Sequence, residues 1–264
     1  MKMSDLAEIT SEPSFTQERR PCVYILCNNV MSRKITVLNS SGSMRGLLDW
    51  KKAAKKDAAI SPISSDDIPV LEANTGTFGS NLKVVTFVCN GNQLEKKDYS
   101  DIIKKYHSKY FNYTFNLKDG SSFIMKRHRV LPILDFQYNN NIYRWIYTKP
   151  RATEYDFLYS LYKLESHQQT LFDEDEELLN TKTKGIFSIS SKIPKSEYYG
   201  THLIAQLEHK EKSYPFIRLM PTAELRIYDW AEIPRLIVVL LSTQLKYIAD
   251  SKLDRERAWE TMSR

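Results

Sequence analysis

The residues with chemistry to offer fall into three basic clusters. Lys126-Arg127-His128-Arg129 closes a stretch of alternating apolar and polar residues. Lys51-Lys52 and Lys55-Lys56 follow Trp50 at helical spacing, and Lys96-Lys97, Lys104-Lys105 and Lys109 are interleaved with Tyr99, Tyr106 and Tyr110. Side chains alternate faces along a strand, so Lys126 and His128 share one face while Arg127 and Arg129 share the other. At a barrel rim that pattern makes a local anion site; the competing reading is a solvated strand end. Lys51, Lys52, Lys55 and Lys56 suit an anionic membrane surface, where each basic residue contributes about 1 kcal/mol, or else a solubilising loop. The third cluster has the mix of lysine and aromatic that single-stranded nucleic acid also meets. Most such segments are amphipathic surface helices.

Catalytic patterns are missing from the sequence. The five histidines, His107, His128, His167, His202 and His209, form no HxxxH, HxH or HExxH arrangement, which is what a metal site on one helix or strand face needs. His202 and His209, at odd separation, fall on opposite faces of a strand. No GxSxG elbow, phosphate loop or GxGxxG fingerprint occurs, and 8 glycines in 264 residues leave little for a backbone cradle. Asp66-Asp67 and the acidic tract FDEDEELLN (172–180) read as solvated loops. No catalytic residue, metal or cofactor is expected.

Charge and cysteine usage narrow the partners. The net charge of +6 with pI near 9.0 favours anionic surfaces. Cys22, Cys27 and Cys89 are odd in number and lack CxxC spacing, which fits buried free thiols in a reducing compartment. The N-terminus has no apolar core of a secretory signal, and Asp5, Glu8 and Glu12 disfavour a mitochondrial presequence.

These clusters must be carried by a strand-rich scaffold. CVYILC (22–27) and KITVLN (34–39) flank Asn28-Asn29 as a hairpin, with MRGLLDW (44–50) after it. LKVVTFVC (82–89) follows, and FNYTFNLKDGSSFIMKRH (111–128) turns through Lys118-Asp119-Gly120. FQYNNNIYRWIYT (136–148) turns at Asn139-Asn140-Asn141. FLYSLYKLE (157–165), GIFSISS (185–191), THLIAQLEH (201–209) and YPFIRLMP (214–221) complete the series. Residues 94–111 read as an amphipathic helix or an insertion.

IPRLIVVLLSTQLKYIADS (233–251) is different. Six consecutive apolar residues, Leu236 to Leu241, go right round a helix, so every face must be buried. Asp229 and Glu232 stand at capping-box spacing and Pro234 suits a first turn. The apolar run falls short of the roughly 20 residues a membrane span needs. A wide antiparallel barrel must fill its interior, and a threaded helix would do so. The fold expected is therefore mainly β: an antiparallel barrel of about twelve strands enclosing a hydrophobic C-terminal helix. Its parts are a flexible tail (1–20), the barrel (21–251, with insertions near 51–69 and 94–110) and a C-terminal extension (252–264).

On IPRLIVVLLSTQLKYIADS and the aromatic hairpin Tyr138-Asn139-Asn140-Asn141-Ile142-Tyr143-Arg144-Trp145, the chain resembles the tubby C-terminal superfamily, with its phospholipid scramblases and LURP-one-related proteins. The resemblance implies a non-enzymatic barrel that binds anionic phospholipid, a phosphoinositide among them, or a protein partner. The lipid-binding candidates are Lys51, Lys52, Lys55, Lys56, Lys126, Arg127 and Arg129. The alternative is a scaffold or assembly factor acting through protein contacts alone, with the acidic tract and the Trp259-bearing extension as its surfaces. Nucleic acid is disfavoured because 38 basic residues are offset by 32 acids and no reading module stands out. The expected location is the cytoplasm, at a membrane face, or the nucleus.

Overall fold

The computed structural model describes residues 20–29, 34–39, 68–75, 81–90, 93–107, 109–148, 157–173, 193–210, 222–229, 231 and 233–262. Within them run β1 (Cys22–Asn29), β2 (Lys34–Leu38), β3 (Leu71–Thr75), β4 (Asn81–Asn90), β5 (Gln93–Tyr106) and β6 (Tyr110–Leu117). Then come β7 (Ser122–His128), β8 (Ile133–Tyr138), β9 (Asn141–Thr148), β10 (Leu158–Lys163), β11 (His202–Lys210), β12 (Thr222–Ile227) and the helix α1 (Arg235–Met262). Each strand pairs antiparallel with its sequence neighbours and β1 pairs with β12, from Cys22↔Ile227 to Cys27↔Thr222. The sheet is a closed up-and-down barrel, which leaves the wall no free edge.

Local chemistry sets the hairpins. Asn139 and Asn140 have φ of 47° and 61°, the left-handed pair that a two-residue hairpin matched to strand twist requires and that Asn tolerates. Between β6 and β7, Gly120 takes φ of 89°. Asp119 accepts from the Ser121 amide at 2.8 Å and its hydroxyl at 2.6 Å. Alternation then puts Tyr113, Phe115, Phe123, Met125, Phe136, Tyr143 and Trp145 inside.

The centre of that interior is α1. Residues Ile237 to Lys246 are all buried, and Val238 to Leu241 are fully so. Five successive positions at helical geometry turn through about 400°, so no face of this segment meets solvent. Residues 235 to 250 span about 24 Å at 1.5 Å per residue, enough to thread the barrel. Three buried polar residues of this segment, Ser242, Thr243 and Lys246, have bonds to match. Ser242 and Thr243 donate back to the Val238 and Val239 carbonyls at 2.8 Å each. Lys246, its side chain without exposure, donates to both oxygens of Asp250 at 3.1 Å, and the Asn28 amide of β1 donates to the same carboxylate.

Several expectations change. Residues 94–110 are neither a helix nor an insertion but mainly β5, paired with β4 from Gln93 to Ile103 and with β6 from Ser100 to Tyr106. Its Ile102-Ile103 and Tyr99/Tyr106 spacing mimics a helix, while of its described residues only Ser100 and Ile102 are buried. β3 and β12 were not anticipated, being short and mixed in polarity. Asp229 does not cap a helix three residues on: its carboxylate accepts from the Ala231 amide at 2.9 Å and sits 2.7 Å from His202 Nε2. α1 instead starts at Arg235, with the Pro234 carbonyl accepting from Ile237 and Val238; it runs on into the C-terminal extension as far as Met262, where Glu256, Arg257 and Glu260 suit a helix. The tail, the 51–67 stretch, most of the acidic tract and the strand readings at 44–50, 185–191 and 214–221 lie outside the described residues. Cys22 and Cys27 are free thiols, and burial raises the Cys27 thiol to about 12 against the opposing field of Lys246. Among the described residues no helix is long and apolar enough to cross a membrane.

Candidate functional site: the mouth where the helix leaves

Antiparallel pairing all round the barrel makes the odd-numbered strands end at one mouth and the even-numbered strands at the other. β12 ends at the second, so α1 enters there and runs towards the mouth where β5 and β7 end and β6 begins. At that mouth the register sets Tyr106 beside Phe111 and Phe111 beside Arg127, with Lys104 beside Tyr113 one row deeper.

Phe111 is the hub. Lys104 Nζ lies 4.7 Å from its ring centroid and 4.7 Å from that of Tyr106. The Arg127 and Arg129 guanidinium carbons lie 5.7 and 5.8 Å from the Phe111 ring. These separations fall within the roughly 6 Å over which a ring quadrupole attracts a cation. Tyr106 completes the group edge-on to Phe111, centroids 5.5 Å apart at 76°. Arg127 also hydrogen-bonds the Tyr113 hydroxyl, which offsets part of the rise that burial imposes on that phenol's pKa. Lys105 is exposed beside them, and Lys109 follows in the turn to β6. Among the described residues no carboxylate is ion-paired with Lys104, Lys105, Lys109 or Arg127. Three cations thus meet one aromatic ring, and two of them, Lys104 and Arg127, are oriented by aromatic faces with their charge left to act on something outside.

The outer wall treats its cations differently. Asp135 and Arg144, register partners on β8 and β9, are fully buried and joined twice at 2.7 Å. Arg144 also donates to the carbonyls of Glu197 at 2.9 Å and Gln169 at 2.8 Å, and Asp135 accepts from the Leu171 amide at 2.8 Å. The pair thereby pins residues 168–171 and 197 over the outer wall. Gly200 lets the overlay approach, since a Cβ there would stand 2.0 Å from the Lys163 carbonyl.

Lys126 belongs to this wall and not to the mouth. It is 6% exposed, with Nζ 4.5 Å from the Phe172 ring and 3.4 Å from the Leu171 carbonyl. A headgroup cannot reach it, which removes it from the lipid-binding candidates. The alternation expected of the 126–129 run is observed: Lys126 and His128 face outward and are buried, while Arg127 and Arg129 meet at Phe111. Lys51, Lys52, Lys55 and Lys56 lie outside the described residues. Lys104 and Tyr106, from the third basic cluster, join Arg127 and Arg129 here; reading β5 as a strand would have placed them by hairpin register. Among the described residues no His, Cys, Asp and Glu grouping could hold a metal ion.

Residues 68–245, from just before β3 into α1, match the family model described as DIA1. The match covers more than half of the chain, and the chain belongs to the DIA1 family. No curated protein and no solved structure matches it.

Proposed function

We propose that this member of the DIA1 family is a non-enzymatic barrel that docks at membrane surfaces by binding anionic phospholipid at the mouth where α1 leaves. One observation carries the reading: Lys104, Arg127 and Arg129 converge on the Phe111 ring, and among the described residues no carboxylate is ion-paired with Lys104 or Arg127. Two such charges at about 1 kcal/mol each give a preference of roughly thirtyfold for anionic over neutral vesicles. The closed barrel around a C-terminal helix is also the architecture that the tubby resemblance implies, which supports the reading without identifying a headgroup. The 51–56 lysines remain candidates for the same surface.

The test is co-sedimentation with phosphatidylcholine vesicles, with and without phosphatidylserine. The wild type should sediment only with the anionic vesicles, and a Lys104→Glu, Arg129→Glu variant that stays folded should lose more than tenfold in affinity. Equal binding by the two proteins would remove the mouth from the account. A second reading, a scaffold acting through protein contacts, has its own observation. The β4–β5 ribbon runs past its neighbours, since β3 pairs with β4 only as far as Thr86 and β6 with β5 only from Ser100, leaving Glu95 to Asp98 exposed. No sedimentation with any vesicle would favour it.

A further inference from the structure

Resting on that reading, we infer that the mouth inserts Tyr106 and Val130 into the interfacial layer of an anionic bilayer, rather than lying on headgroups alone. Four large hydrophobic side chains are exposed among the described residues, and the two most exposed, Tyr106 at 74% and Val130 at 68%, both stand at this mouth. They sit at neighbouring connections, β5 to β6 and β7 to β8. The tyrosine ring, apolar in body and polar at the tip, is suited to the depth of the lipid headgroups. An exposed valine among cations has no comparable role in water.

The local backbone holds both prongs ready. His128, 2% exposed, accepts at Nδ1 from the amides of Val130 at 3.1 Å and Leu131 at 2.8 Å, which fixes the turn that presents Val130. The Arg129 amide donates to the Lys109 carbonyl at 3.1 Å and the His107 amide to the Tyr110 carbonyl at 3.0 Å. The two connections are tied together, so insertion orders little that was loose. His128 is therefore a positioning residue. The occupant is a lipid surface because the apolar prongs are ringed by Lys104, Lys105, Lys109, Arg127 and Arg129; an acidic bilayer offers charge outside and an apolar layer beneath.

Attraction between exposed charges fades as salt shortens the Debye length, to about 3 Å at 1 M, whereas insertion does not. The full chain is therefore titrated with phosphatidylcholine–phosphatidylserine vesicles at low and high salt. Wild type should keep a salt-resistant bound fraction. A Tyr106→Ser, Val130→Ser variant should bind almost normally at low salt and lose about tenfold at high salt. Because four native tryptophans contribute background, Tyr106→Trp is compared with wild type in vesicles bearing bromine on the acyl chains, and extra quenching is expected. Insertion is overturned if the serine variant matches wild type at both salts and Tyr106→Trp adds no quenching. In that case loss of binding by Lys104→Glu, Arg129→Glu still upholds electrostatic docking. Absence of wild-type binding to any anionic vesicle overturns docking and insertion together.

Discussion

Along β7 and into the turn after it, four consecutive residues meet opposite conditions. Lys126 and His128 face outward and are buried, Lys126 against Leu171 and Phe172 and His128 against Tyr110; Arg127, one step along from Lys126, turns to the mouth and joins Arg129 at Phe111. Behind Lys126 lies the Asp135–Arg144 pair, where each charge has a charged partner and backbone bonds besides. At the mouth, Lys104 and Arg127 have only ring faces and a phenol. A buried cation with its bonds satisfied holds structure in place, because the desolvated charge would otherwise be very costly. A cation oriented by an aromatic face keeps most of its field available. The difference separates scaffold from site more sharply than the number of basic residues does.

The largest test of that contrast is Asp135→Asn, which leaves the Arg144 guanidinium buried without a carboxylate. Stability should fall by about 3–5 kcal/mol in chemical denaturation, with loss of the overlay. A loss below about 1 kcal/mol would mean that the pair does not pin it. Lys126→Met keeps the aliphatic stem and gives up the contact with the Phe172 ring. It should cost about 1 kcal/mol and leave vesicle binding unchanged. Weaker vesicle binding by a folded Lys126→Met protein would return Lys126 to the site. Lys104→Ala reverses that pattern: stability within about 0.5 kcal/mol of wild type, and about fivefold weaker binding to anionic vesicles.

The smallest effect concerns Glu72, on the outer wall between Lys96 at 2.8 Å and Lys34 at 3.3 Å. Burial pushes its carboxyl pKa up, but the two ammonium groups together outweigh this and hold it below its ordinary 4.5. A folded-state pKa below the unfolded one stabilises fully above the unfolded value, and that stability is lost as pH falls through the folded one. With both lysines well exposed, the contribution should stay under about 1 kcal/mol. Comparing Glu72→Gln with wild type across that acid range should show a shallower decline for the variant; parallel curves would rule the contribution out.

Much of this was legible in the chain. Six apolar residues in a row, Leu236 to Leu241, required a helix with no wet face, and strands in such number required a closed wall to supply its surroundings. Asn139-Asn140 carried more information than was taken from it. Counting outward from that turn pairs Asp135 with Arg144, so the outer ion pair could have been found from register alone. β5 was hidden because Tyr99, Ile102, Ile103 and Tyr106 satisfy a helical period as well as their strand positions. Its misreading concealed where Lys104 and Tyr106 stand, since hairpin register sets Tyr106 beside Phe111 and Lys104 beside Tyr113. The burial of Lys126 could not be read locally, for it depends on Leu171 and Phe172, far along the chain. The capping role assigned to Asp229 failed because a short loop and His202 compete for the same carboxylate.

Amide hydrogen exchange of the full chain, with and without phosphatidylserine-containing vesicles, tests the central claim most directly because it reports which surface faces the lipid. Docking through the exit mouth predicts slower exchange on binding in peptides spanning 104–111 and 127–132, and unchanged rates at Glu95 to Asp98, at the opposite end of the barrel. Protection confined to the ribbon around Glu95 to Asp98, with 104–111 and 127–132 unaffected, would contradict it.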